Sequence, residues 1–168
     1  KNWYSGDSVV SVDAWSPLIQ GLYASDIPES EPTRFLGILP VTLDEASLRW
    51  AALRSEKPTQ APLAGRDYFD KISFRRNFDA RDEYLLLDGT STFAHGHLDG
   101  NSVTGLTWKD RIWLCDLHYI KDEPREHNGV IVVRDGAQEP PPQINELEGA
   151  ADFDAFGITR TTSRDYGG

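Results

Sequence analysis

"SVTGLTWKDRIWLCD", residues 102–116, reads as two short strands that break at Lys109-Asp110. Val103, Leu106 and Trp108 lie before the break, and Ile112, Trp113 and Leu114 after it. β-Branched and aromatic side chains suit a pleated, half-buried surface, and two polar residues between such runs are the length of a tight hairpin turn. The stretch therefore predicts an antiparallel hairpin, and its neighbours extend the pattern.

In "DKISFRR", residues 70–76, Ile72 and Phe74 alternate with polar residues, the period of a strand with one buried face. "EYLLLDG", residues 83–89, is a continuous apolar run closed by Asp-Gly and predicts a strand buried on both faces. "GVIVVRDG", residues 129–136, adds a β-branched strand closed the same way. "AQEPPPQ", residues 137–143, is a loop, because consecutive prolines cannot donate to a ladder, and residues 147–163 return as strands. Short strands separated by turn signals, without helices between them, predict a mainly β chain: an antiparallel sheet or sandwich over residues 65–168.

Residues 1–64 read differently, as a helical and loop segment. In "PVTLDEASLRWAALRS", Thr42 and Glu45 form a capping box, and Leu43, Ala46, Trp50 and Leu53 make one apolar face of a helix over 43–55. Pro17 and Pro28 break the stretch before it, and "SEKPTQAPLAGRD", residues 55–67, is a linker.

Composition narrows the function classes. A chain of 168 residues is the length of one ordinary domain, and 39% hydrophobic residues is globular composition. No run approaches the roughly 18 apolar residues of a membrane span. A net charge of -10 argues against nucleic-acid or anionic-membrane partners, which need clustered Lys and Arg. One cysteine, Cys115, excludes an internal disulfide framework and leaves the compartment open. Starting at Lys1 and ending in the strand-like "GITRTTSRDYGG", the chain reads as a piece of a longer protein.

All four histidines, His95, His97, His118 and His127, fall within one window. Neutral imidazole and carboxylate are zinc's usual ligands, so His95, His97, Asp99, Asp116, His118 and His127 are the candidates. A His-Gly-His in a loop is by itself ordinary surface chemistry. Two features weigh against that reading: Asp116 ends the otherwise apolar "IWLCD", where a buried carboxylate wants a cation or donors, and His127 stands at the entry to "GVIVV". Gly96 frees the backbone from strand geometry, so the two neighbouring histidines can serve different ends. "HGHLD" also fits the start of the metallo-β-lactamase pattern His-x-His-x-Asp, which implies a zinc hydrolase; that pattern continues with a histidine where this chain has Gly100.

The ordered set "DEYLLLDG", "HGHLDGNS", "DRIWLCDLHY" and "HNGVIVVRDG", across about residues 69–136, resembles the heparinase II/III-like polysaccharide lyases. The resemblance implies an N-terminal α/α toroid followed by an antiparallel β-sandwich, of which residues 1–64 would be the connection and 65–168 the first part. It implies a structural zinc held by His97, Asp116 and His127, with His95 left to face substrate as a catalytic group. Tyr119 and Arg125 are the substrate-binding candidates, and Asp99 and Asn101 are expected to fix the loop. The implied reaction is β-elimination on a uronic-acid polysaccharide, in a periplasmic or extracellular bacterial setting. Two alternatives stand beside it, a non-catalytic metal-stabilised carbohydrate-binding or packing domain and the zinc hydrolase.

Overall fold

The computed structural model describes residues 35–44, 46, 62–75, 81–90, 98–116, 123–139, 141–153, 156–164 and 166. Among them the chain is mainly β. The strands are β1 (Phe35–Val41), β2 (Tyr68–Arg75), β3 (Tyr84–Asp88), β4 (Ser102–Trp108), β5 (Arg111–Cys115), β6 (Val133–Arg134), β7 (Ala137–Gln138), β8 (Glu146–Asp152) and β9 (Gly157–Thr162). One antiparallel sheet runs β5-β4-β3-β2-β8-β9, with β1 also paired to β2, and β6-β7 is a separate hairpin. Among the described residues no helix is long and apolar enough to cross a membrane.

The β4-β5 hairpin forms where the sequence predicts it. Lys109 and Asp110 both turn through left-handed backbone, φ 53° and 56°, the conformation of the two-residue turn that matches strand twist. Lysine has no intrinsic preference for that region, and neighbouring contacts hold it there. Its ammonium lies 4.2 Å from the Trp108 ring centroid, and Trp113 Nε1 donates to the Trp108 carbonyl at 3.1 Å. Asp135-Gly136 makes the equivalent turn between β6 and β7.

Three elements depart from the sequence reading. β1 lies inside the segment taken as helical or loop (1–64), and its residues pair with β2 from Phe35↔Arg75 to Val41↔Tyr68. Pro40 is accommodated by a register shift between Leu39 and Pro40, the kind of irregularity at which a sheet tolerates a residue without an N–H. "GVIVVRDG" is strand only at Val133–Arg134, and Val130 is 70% exposed. Asn128 pairs with Val103 in both directions, through its own carbonyl and side-chain amide, and this draws the run past the start of β4 instead of into the sheet. In β3 only Leu86 and Asp88 are buried while Leu85 and Leu87 are half-buried, so its two faces are unequally covered.

Leu43, Asp44 and Ala46 have helical backbone, and the Ala46 N–H donates to the Thr42 carbonyl at 2.8 Å. Glu45 and the rest of the 43–55 prediction lie outside the described residues. Ala46 is fully buried and packs with Val41, Tyr68 and Ile144, which joins this turn to the sheet.

Phe69 and Ile72 of β2 are wholly buried. β5 is one edge strand of the sheet, and Ile112, Trp113 and Leu114 are exposed on it, an edge and apolar surface open to association. The β8-β9 hairpin folds back so that Gly157 lies against Phe74; a Cβ there would stand 3.0 Å from the ring. The Leu36 N–H donates to Asp152 at 3.2 Å and ties the same hairpin to β1.

Candidate functional site

The buried polar residues gather at one end of the sheet. Asp88, Thr90, Ser102, Thr104, His127 and Asn145 are all buried, and most border the β3-β4 connection that carries "FAHGHLDG". Asp88, Thr90, His127 and Asn145 each make side-chain hydrogen bonds, so specific polar contacts hold this end of the sheet beside its apolar packing.

Asp116 extends β5 by one step. Its N–H donates to the Thr104 carbonyl at 2.9 Å, which fixes the direction of the carboxylate. His127 closes the 3₁₀ turn Pro124–Glu126, and its N–H returns to the Pro124 carbonyl at 3.2 Å. Pro124 opens that turn with its fixed φ and no orphan N–H. The two side chains meet: His127 Nδ1 lies 2.8 Å from Asp116 Oδ2, with the side chains 2% and 10% exposed. An ionised carboxylate can only accept, so Nδ1 carries the hydrogen, and in the neutral ring Nε2 then holds the lone pair. Nε2 is also buried.

The His127 turn packs on the start of β4. A Cβ at Gly129 would stand 3.3 Å from that of Ser102, and the Ser102 N–H donates to the Asp99 carbonyl at 3.1 Å. Three stretches distant in sequence, residues 98–102, Asp116 and 127–129, therefore converge. His95, His97, His118 and Tyr119 lie outside the described residues. Among the described residues no group of three His, Cys, Asp or Glu is arranged to hold a metal ion. Arg125 is exposed, and its Nε pairs with Glu123 at 2.6 Å and Glu126 at 3.5 Å, carboxylates of its own turn.

An electrostatic cluster that the sequence reading passed over sits at the end of β3, beside β2. Lys71 Nζ bridges Asp88 at 2.8 Å and Asp70 at 3.0 Å, and Asp88 also accepts from the Thr90 N–H at 3.2 Å. Burial pushes Asp88 up to about 6; Lys71 opposes this and Asp99 adds to it. Burial alone would pull the Lys71 ammonium down, but Asp88 and Asp70 outweigh it and hold its pKa above 10.5. Asp88, through burial, and Lys71, through its two carboxylates, therefore both bind protons more tightly than in water. The sequence signal was the carboxylate ending "LLLDG", which reads equally well as a turn former.

The folded Asp88 carboxyl is the stronger proton binder, so stability falls as pH rises from about 3.8 to about 6. Lys71→Met removes the ammonium, raises Asp88 further and leaves it buried at neutral pH. The expected cost is about 2 kcal/mol at pH 7.5, reduced from the value for stripping a fully buried pair because the carboxyl can protonate. That deficit should shrink at pH 5. Urea denaturation at the two pH values checks it; an equal deficit at both would mean that the ammonium acts through packing alone.

Compared with protein-family models, with curated proteins and with solved structures, the chain matches none.

Proposed function

We propose that this chain is the β-sandwich portion of a polysaccharide lyase that cleaves uronic-acid polymers by β-elimination, with a zinc ion that braces the fold. The observation that carries the reading is the buried Asp116–His127 contact at 2.8 Å. It joins two of the three residues that the family resemblance nominated as ligands, from positions eleven residues apart. An imidazole and a carboxylate, both desolvated, are a donor set suited to zinc, and His97 would be the third protein ligand. The sandwich is supported by the antiparallel pairing and by the β8-β9 hairpin closing onto Phe74.

In this reading zinc supplies structure: it ties the segment bearing His97 to β5 and to the 3₁₀ turn, and so fixes the neighbouring His95. The chemistry itself is proton transfer. A base takes the proton from C5 of the uronate, the C4–O4 bond breaks, and an acid protonates the departing oxygen to leave a 4,5-unsaturated sugar. Neutralising the uronate carboxylate makes the C5 proton removable. His95 is assigned as base or carboxylate-contacting group, and Tyr119 and Arg125 as flanking substrate contacts. The remaining groups would come from an α/α toroid in the full-length protein, acting in the periplasm or outside the cell.

The test is to incubate the full-length protein with a panel of acidic polysaccharides while recording ultraviolet absorbance and zinc content. Unsaturated uronide from at least one polymer, with about one zinc per chain, is the expected result. New reducing ends without absorbance would replace elimination by hydrolysis. Zinc without either product would leave a metal-braced binding domain.

A further inference from the structure

Both ends of the β3-β4 connection, Gly89 and Asn101, are reached by one directed chain of hydrogen bonds from Thr161 of β9 and from Asn145 and Ser163, which flank the β8-β9 hairpin. The Gly89 carbonyl accepts from Asn145 Nδ2 at 2.8 Å and from the Asn145 N–H at 3.0 Å. A carbonyl can only accept, so the Asn145 amide has one permitted orientation, with Oδ1 toward Ser163. The Ser163 hydroxyl must then donate to Oδ1, at 2.6 Å. Its oxygen is left to accept from Asn101 Nδ2, at 3.1 Å. That in turn points Asn101 Oδ1 at the Thr161 hydroxyl, which donates to it at 2.9 Å.

One backbone carbonyl thus sets the polarity of four side chains, and no member can reverse without stranding another. Asn145 has no exposed surface, so a stranded group there would not be rescued by water. Asn101 itself has left-handed backbone, φ 61°, and its N–H donates to the Asp88 carbonyl at 2.8 Å. The relay therefore fixes the distance between the point where the chain leaves β3 and the point where it enters β4.

We propose that Asn145 and Ser163 are positioning residues: through this relay they hold the two ends of the His95- and His97-bearing segment in register with the Asp116–His127 pair. The inference rests on the function proposed above, and its test separates the two. Ser163 is the residue to change, because it is only half-buried and Ser163→Thr keeps the hydroxyl.

In the full-length protein, Ser163→Ala should speed hydrogen exchange about tenfold in peptides containing Asn101 and Asn145, and leave peptides from β2 unchanged. Zinc affinity, read by competition with a chromophoric chelator, should fall about tenfold, as when a supporting contact behind a metal ligand is lost. Ser163→Thr should restore both.

Unchanged exchange at Asn101 and Asn145 would overturn the proposal, and uniformly faster exchange would reduce the relay to a general structural role. Faster local exchange with unaltered zinc affinity would confine it to the loop ends and overturn its link to the site. If the wild-type protein binds no zinc, the zinc reading fails, and exchange alone then decides whether the relay positions the segment.

Discussion

On the zinc reading proposed above, replacing His127 by alanine is expected to abolish zinc binding and to lower the unfolding free energy by about 4 kcal/mol at saturating metal. Two contributions lead there. The Asp116 carboxylate, 10% exposed, loses the imidazole N–H at 2.8 Å, and a buried acceptor deprived of its donor costs about 1–3 kcal/mol. Metal bound only by the folded state adds about 3 kcal/mol at a hundredfold excess over its dissociation constant, so the two together come to about 4 kcal/mol or more. The informative comparison is with chelator. Wild-type protein should lose most of the metal contribution on chelation, whereas the variant should lose nothing further. Asp116→Asn should fall between them, because an amide can still accept from the ring. A wild-type protein whose denaturation midpoint ignores chelator would leave the Asp116–His127 contact as an ordinary buried hydrogen bond and remove its role as half of a metal site.

How much of this could be read beforehand depended on whether the controlling interaction is local. Hairpin β4-β5 follows from β-branched and aromatic runs about a two-residue turn, and strand β2 from period-two alternation, signals that lie within a few positions of one another; for residues 147–163 only strands were expected. β1 carried no such signal. "FLGILPV" has no alternation, and Pro40 argues against a strand until the register shift that accommodates it is known. "GVIVVRDG" failed in the opposite direction, since β-branched composition describes a preference for packed surface and Asn128 commits the run elsewhere.

The site divides along the same line. His127 was nominated because histidine is scarce in this chain and Asp116 because it ends an apolar run, the family resemblance pointed to both, and the fold brings them together. Asn101 was expected to fix its own loop, but Asn145, Thr161 and Ser163 escaped notice because such residues populate turns for local reasons, and nothing in a linear sequence distinguishes a turn former from a relay member. The Lys71–Asp88 pair is similar: its partners face each other only once β2 and β3 are in register, Lys71 opposite Asp88.

Gly89 gives the second large expected effect, and it corrects the meaning of a residue that sequence reading treats as punctuation. The Asp-Gly that closes β3 looks like a turn in which glycine supplies left-handed backbone, as Gly136 does at φ 79° after β6. Gly89 is not among the residues with positive φ. What it provides is absence of volume: a Cβ would stand 2.2 Å from the Phe69 carbonyl oxygen and 2.5 Å from its ring. Phe69 is fully buried, and the obstructing oxygen belongs to the backbone of β2, so no rotamer change can make room. Moving β3 away instead would strain the Gly89 N–H bond to Asp70 at 2.7 Å and the two bonds from Asn145 to the Gly89 carbonyl. Gly89→Ala is therefore expected to destabilise the protein by about 3 kcal/mol or more, at the upper end for a forced methyl group. Gly105→Ala, where nothing lies within 4 Å of the added carbon, should cost far less. Guanidinium denaturation of the two variants beside wild type measures the contrast. Equal midpoints for the two would mean that β2 and β3 can separate at this end of the sheet, and the anchoring of the histidine-bearing segment would have to be reassigned from Gly89 to Asn101.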